Sequence, residues 1–207
     1  MSHSGAVPVR RGRFRVSVPV LAVFLGLLVS GCGINNIPSE EEQAKAAWSQ
    51  VQNQYQRRSD LIPNLVETVK GFAKQEREVL EAVTAARAHA TSIQATPELI
   101  NDPEAFKKFQ DAQAQLSGAL GRLLVTVERY PDLKSNQNFL SLQAQLEGTE
   151  NRIAVARRDY IEAVRIYNTE LKTFPGVIWA RLLYANNKPM AEFTVTDDVQ
   201  RNPQVKF

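Results

Sequence analysis

Apolar residues recur along this chain at alternating steps of three and four, in three separate runs. The first passes through Trp48, Val51, Tyr55, Ile62, Leu65, Val69, Phe72, Val79, Val83, Ala86, Ala90 and Ile93, interrupted only by Arg58 and Glu76. The second holds Phe106, Phe109, Leu116, Leu120, Leu123, Val127 and Tyr130, with Gln113 as its polar member. The third holds Phe139, Leu142, Leu146, Thr149, Ile153, Ala156, Tyr160, Ala163, Tyr167 and Phe174, with Glu170 as its charged member. A stripe that repeats every seven residues is the seam along which helices wrap around one another. No alternation of period two competes with it, so the chain is expected to be all-α.

The punctuation agrees with the stripes. Ser39 followed by Glu40, Glu41 and Glu42 is a capping-box pattern, which places the first helical residue near Glu40. Thr96-Pro97 and Asp102-Pro103 separate the first two runs, and Pro103 suits the first turn of a helix capped by Asp102. Tyr130-Pro131 separates the second run from the third, and Ser135 to Asn138 reads as a helix start. Phe174-Pro175-Gly176 ends the third run. A short helix is expected over Val177–Ala185, stopped by Asn186-Asn187-Lys188-Pro189. At ~1.5 Å per residue the first helix, Glu40 to Ile93, would extend about 80 Å, against about 40 and 55 Å for its partners. It therefore overhangs them unless it bends, and Pro63 predicts either a kink near Ser59–Ile62 or two helices meeting there. Short connections between long helices make antiparallel neighbours. The expected fold is an antiparallel bundle of three long helices plus a short C-terminal helix, which with Trp179 and Tyr184 would cover the Trp48–Tyr55 end.

Ahead of the bundle the pattern changes. Arg10, Arg11, Arg13 and Arg15 precede an apolar run from Val16 to Val29, and no acid occurs before Glu40. This is the layout of a secretory signal, and the run is shorter than the ~20 residues of a full span. The run ends at Val29-Ser30-Gly31-Cys32, an aliphatic residue and two small ones before the chain's single Cys. That order resembles the bacterial lipobox, in which the thiol receives the lipid. Cys32 is thus the expected lipidation site. The alternative is an uncleaved spanning helix over residues 14–34. The division that follows is a signal or anchor over 1–31, a tether over 32–39, the bundle over 40–185 and a tail over 186–207. The formal net charge of +3 belongs to the signal, because beyond it the Lys and Arg are balanced by Asp and Glu. A nucleic-acid binder needs a basic face on its folded part, and this pattern offers none.

The polar residues on the seam need partners, since an unpaired charge there is costly. For Arg58 and Glu76 the candidates are Gln113, Glu147, Glu150, Asn151 and Arg152. The dense polar stretch from Asn53 to Asn64 reads mainly as the solvated shoulder of a bent helix. Catalytic chemistry finds little to work with. One His, His89, remains beyond the signal, no second His or spare Cys completes a zinc site, and there is no Gly-rich phosphate loop or activated nucleophile. No catalytic residue, cofactor or metal is therefore expected.

Two blocks carry a family resemblance. Gln52 to Ala88 (QNQYQRRSDLIPNLVETVKGFAKQEREVLEAVTAARA) and Ser135 to Asn168 (SNQNFLSLQAQLEGTENRIAVARRDYIEAVRIYN), the latter followed by Phe174-Pro175, resemble the LemA family. So does Asn35-Asn36-Ile37-Pro38 with the acids after it. The resemblance implies an extended helical bundle outside the cytoplasm, tied to the membrane at its N-terminus and without an established enzymatic activity. The lipobox-like end departs from the family's usual single transmembrane segment. The expected function is a non-catalytic envelope scaffold or adaptor, on the membrane, for other envelope proteins. One alternative is a sensing module with a cavity near Pro63 lined by Trp48, Tyr55 and Trp179; another is a carboxylate-based hydrolase. A closed apolar seam favours the scaffold, and a pocket with convergent polar groups favours the sensor.

Overall fold

The computed structural model describes residues 33–194, which are helical or irregular with no strand among them. Contacts divide the chain into Met1–Ile34 and Asn35–Phe207. The expected signal and Cys32 lie outside the described residues.

Among the described residues the second unit holds six helices: α1 (Asn36–Phe72), α2 (Arg77–Ser92), α3 (Pro103–Val127), α4 (Pro131–Lys134), α5 (Gln137–Glu170) and α6 (Gly176–Leu182), with a 3₁₀ turn at Pro97–Asn101. α1 runs antiparallel along α5, so that Asn36 meets Glu170, Trp48 meets Tyr160 and Arg58 meets Glu150. α3 runs in the direction of α1, pairing Trp48 with Phe106 and Arg58 with Gln113. α2 folds back against α1 and packs on α3. The result is an up-down-up-down bundle.

The stripes account for what is buried. Every seam residue of the second run from Phe106 to Val127 is buried, including Gln113. Asp102 caps α3, accepting from the N–H groups of Glu104 and Ala105 at 3.0 Å each, and Pro103 fills the first turn. Asn136 caps α5 in the same way.

Four expectations are corrected. First, α1 begins at Asn36, ahead of Ser39, and Ile37 is fully buried. Pro38 is tolerated there because first-turn N–H groups have no intrahelical partner. Second, two helices do not meet at Pro63: α1 continues through it, and the break falls at Ala73–Glu76. Pro63 deprives the Ser59 carbonyl of its helical donor, but Arg87 Nε–H on α2 donates to that oxygen at 2.8 Å. The orphan group is satisfied from outside the helix. Third, the end of α1 resets the phase of the stripe: Ala73 is buried and Phe72, a seam position by spacing, is 43% exposed. Phe174 is likewise exposed, beyond the end of α5.

The fourth concerns the tail. α6 lies against the aromatic end, with Trp179 and Tyr184 partly buried there. The tail also brings a ring of its own to Trp48, Phe193, at 6.3 Å between centroids. It sits on an extended strap, residues 186–194, fastened through its backbone. Asn168 both donates to and accepts from Met190, Gln110 does the same for Thr194, and Ala191 N–H donates to Ile100 O at 2.7 Å. The turn into α6 needs Gly176, since a Cβ there would lie 2.2 Å from the Glu170 carbonyl oxygen.

Candidate functional site

The core falls into two clusters. One surrounds Trp48, Phe106, Phe109, Tyr160 and Phe193, and the other surrounds Ile62, Leu65, Val69, Leu116 and Leu123. Between them lies a polar layer centred on Arg58, which occupies the α1 seam position between Val51 and Leu65 and is 1% exposed.

Helix geometry brings the layer together. Arg58 donates to Glu150 Oε1 on α5 at 2.9 Å, to Ser117 Oγ on α3 at 2.9 Å, and to Gln113 Oε1. Its guanidinium also lies 5.0 Å from the Tyr55 ring centre one turn earlier. Charge-assisted bonds of this kind are the strong ones, and together they hold the guanidinium in one orientation. Its Nε and the Ser59 hydroxyl are buried without a partner. Of the partners expected for Arg58, Gln113 and Glu150 are in place; Glu147, Asn151 and Arg152 are engaged elsewhere or face solvent. Ser117 was not anticipated, because a small polar residue on α3 carries no seam signal.

Glu76 is not part of this layer. The break after α1 places it in the connecting turn, where it accepts from Arg129 at 3.0 Å and from the Tyr130 hydroxyl at 2.7 Å. It ties the α1–α2 turn to the end of α3. Within the polar stretch, Asn53, Arg57, Asp60 and Asn64 are exposed, whereas Arg58 and Ser59 face inward.

A cavity of about 290 Å³ opens beside Arg58, walled by α1, α3, α5 and the strap. Tyr55 lines it as expected, but Trp48 and Trp179 do not: the first is buried in the aromatic core and the second packs against its edge. Burial raises the Tyr55 hydroxyl's pKa above its ordinary value, with the Arg157 and Arg58 charges opposing, so it stays a neutral donor near pH 7. Elsewhere the surface carries two apolar depressions. One of about 510 Å³ lies between α3 and α5, and one of about 770 Å³ lies along the α1–α2 hairpin. The hairpin groove has Val66, Leu80, Ala85 and Ala88 in its lining and Lys70, Lys74, Arg77, Glu67 and Glu81 around them.

Among the described residues there is no cluster of His, Cys, Asp and Glu suited to a metal ion, and no helix long and apolar enough to cross a membrane. His89 is exposed on α2, within hydrogen-bonding distance of Gln115.

The LemA family model matches residues 47–207. The chain belongs to the LemA family. Among curated proteins it is similar to Magnetosome protein MamQ 2 of Paramagnetospirillum magneticum, 27% identical over 194 residues, which cover 86% of this chain and 70% of that protein. MamQ of Magnetospirillum gryphiswaldense is 26% identical over 199 residues, covering 86% and 72%. Protein LemA of Metamycoplasma hominis is 23% identical over 140 residues, covering 68% and 60%. These names denote a family or the magnetosome, not a reaction. The helical bundle expected from the stripes is thus the fold of this LemA-family member.

Proposed function

We propose that this LemA-family chain is a membrane-tethered helical adaptor of the bacterial envelope that receives partner proteins on its outer helical faces. The observation that carries this reading is the groove along the α1–α2 hairpin, about 770 Å³ in volume. Its apolar residues with a rim of both charge signs match what an amphipathic helix presents, a ridge of apolar side chains at three- and four-residue spacing. The catalytic alternative has less support. Several acids on the outer faces are engaged with neighbouring Lys and Arg, as in Lys45–Glu41, Lys107–Asp111 and Arg165–Glu162.

A photocrosslinking residue at Thr84, in the groove, tests the docking face against one at Arg158, exposed on α5. In living cells a discrete crosslinked partner is expected from Thr84 only, and Ala85→Arg should abolish it by filling the groove. Equal crosslinking from both positions, or crosslinking indifferent to Ala85→Arg, would reject the groove. The tether is tested separately by metabolic labelling with a clickable fatty acid. Label lost in Cys32→Ala is the expected result. An unlabelled chain with an uncleaved N-terminus would instead make residues 14–34 a spanning anchor.

A further inference from the structure

The polar layer holds more than Arg58 needs. A buried Arg can be explained by register alone, since ion pairs on a seam align helices at little net stability. That explanation accounts for Gln113, Ser117 and Glu150, which are bonded to it. It does not account for Arg157. This second guanidinium lines the same cavity from α5, two turns from Glu150. It lies 4.3 Å from the centre of the Phe193 ring. It reaches the neutral Tyr55 hydroxyl but, among the described residues, has no carboxylate partner, whereas its neighbour Arg158 is paired with Asp159.

The walls are held in place before any ligand arrives. Gln110 grips Thr194 by both its N–H and its C=O, which fixes the strap that closes one side. Stacking on Phe193 limits the Arg157 head, and three bonds fix Arg58. A site whose polar groups are already ordered loses less entropy on binding. The charge of the cavity is also defined: two guanidiniums face one carboxylate, leaving one positive charge, and the Tyr55 hydroxyl adds a donor. Apolar contact is available from Ile153, Ile161 and Phe193. Glu150 disfavours a second negative charge on whatever enters.

From this geometry we infer that the cavity between Arg58 and Arg157 is a binding site for a small organic monocarboxylate. The carboxylate meets Arg157 beside its contact with the Tyr55 hydroxyl, and its apolar body lies against Ile153 and Phe193. Guanidinium and carboxylate match as planar forks, which makes this pairing more selective than a point charge. The volume of about 290 Å³ sits at the lower end for small-molecule pockets. The site is independent of the adaptor reading, because it lies on the α3–α5 side and shares no lining residue with the hairpin groove.

The test titrates benzoate into the full chain in detergent micelles, by calorimetry and saturation-transfer NMR. Benzamide serves as the neutral isostere and inorganic phosphate as the competing anion. Saturable binding at one site per chain is expected, about tenfold or more weaker for benzamide, and weakened to a similar degree in Arg157→Gln. Ala114→Phe, which fills the cavity from α3, should remove binding; Arg158→Gln should leave it unchanged. Each variant's helical circular dichroism and melting temperature are recorded, and Arg157→Gln alone suffices if Ala114→Phe fails to fold. The site is rejected if benzoate does not saturate by about 10 mM, or if folded Arg157→Gln binds it like the wild type. Phosphate competing as well as benzoate would overturn the carboxylate assignment.

Discussion

The two ends of the bundle solve the same packing problem with different side chains. Around Trp48 the core is built of rings: Trp48 lies 5.6 Å from Phe106, 5.5 Å from Phe109 and 5.3 Å from Tyr160. Beyond Arg58 it is built of Leu, Val, Ile and Ala, as at Leu65, Val69, Leu116 and Leu123, with Phe139 as the one buried ring. The difference follows from where helices stop. At the aliphatic end α1, α2, α3 and α5 all contribute, and branched chains fill the narrow space between them. α2 ends at Ser92, so toward the other end a 3₁₀ turn, α6 and the strap stand in for it. Large rings fill the space among these irregular pieces, and Trp48 also finds a polar anchor, its indole N–H donating to Thr96 O at 3.1 Å. Arg58 marks the boundary between the two regimes.

The largest expected effect breaks the aromatic end outright. Trp48→Ala should cost about 3–5 kcal/mol, against about 2–5 for Leu123→Ala in the aliphatic end, measured by urea denaturation. Equal and small losses would mean that the ring cluster is no more than filler. Phe193→Ala comes next, at about 2–3 kcal/mol because the ring lies at the edge of the cluster. Its signature is local: faster exchange of the Ala191 amide, with α3 amides in the aliphatic end unchanged.

At the boundary, Arg58→Ala should cost about 2–3 kcal/mol by leaving a cavity, whereas Arg58→Met, which loses the same donors but fills the space, should fall within about 1 kcal/mol of the wild type. Thermal melts of the two variants separate a role in stability from one in recognition. If Arg58→Met is as damaging as Arg58→Ala, the guanidinium holds the bundle together. Arg87→Met should cost about 1–2 kcal/mol by orphaning the Ser59 carbonyl, and Pro63→Ala should recover much of it by restoring the helical N–H. A double-mutant cycle showing no coupling would remove Arg87 from the account of why α1 survives its proline.

The last prediction appears only in alkali. Burial raises the hydroxyl pKa values of Tyr55, Tyr160 and Tyr167 above the ordinary 10.0. Groups shifted upward in the folded state contribute stability that is fully present below about pH 10 and is lost as pH rises past it. Urea midpoints should therefore be flat on this account to pH 9 and fall above pH 10, less steeply in Tyr160→Phe. An identical slope in that variant would show that Tyr160 does not contribute to it.

Much of this architecture was legible in the sequence, because burial on a long helix is a matter of phase. The second stripe, the Asp102 cap, the helix start within Ser135–Asn138 and two of the five candidate seam partners, Gln113 and Glu150, follow from spacing and local bonding. Legibility failed where the decisive partner is remote. Pro63 carries a strong local signal for a break, and only a guanidinium 24 residues later on another helix cancels it. The actual break at Ala73–Glu76 contains neither Gly nor Pro, so Lys74-Gln75-Glu76 reads as ordinary helix. The strap has no periodicity to read, since most of its bonds run from its main-chain atoms to remote groups on other elements. Arg157 was hidden for a related reason: it flanks seam residue Ala156, where a charged residue is ordinary solvated surface.

The fastening of the strap has a consequence for how this region tolerates change. Asn168, Gln110, Ile100 and Tyr160 all bond to main-chain atoms of Met190, Ala191 and Thr194, which every residue except proline supplies in full. The bundle thus measures the strap's length and is nearly blind to its letters. Two buried pegs, Met190 and Phe193, set the register, and between them Glu192 adds a side-chain bond to Asn168. Losing one residue between the pegs would do more harm than replacing both, because every bond beyond the gap would meet the wrong atom.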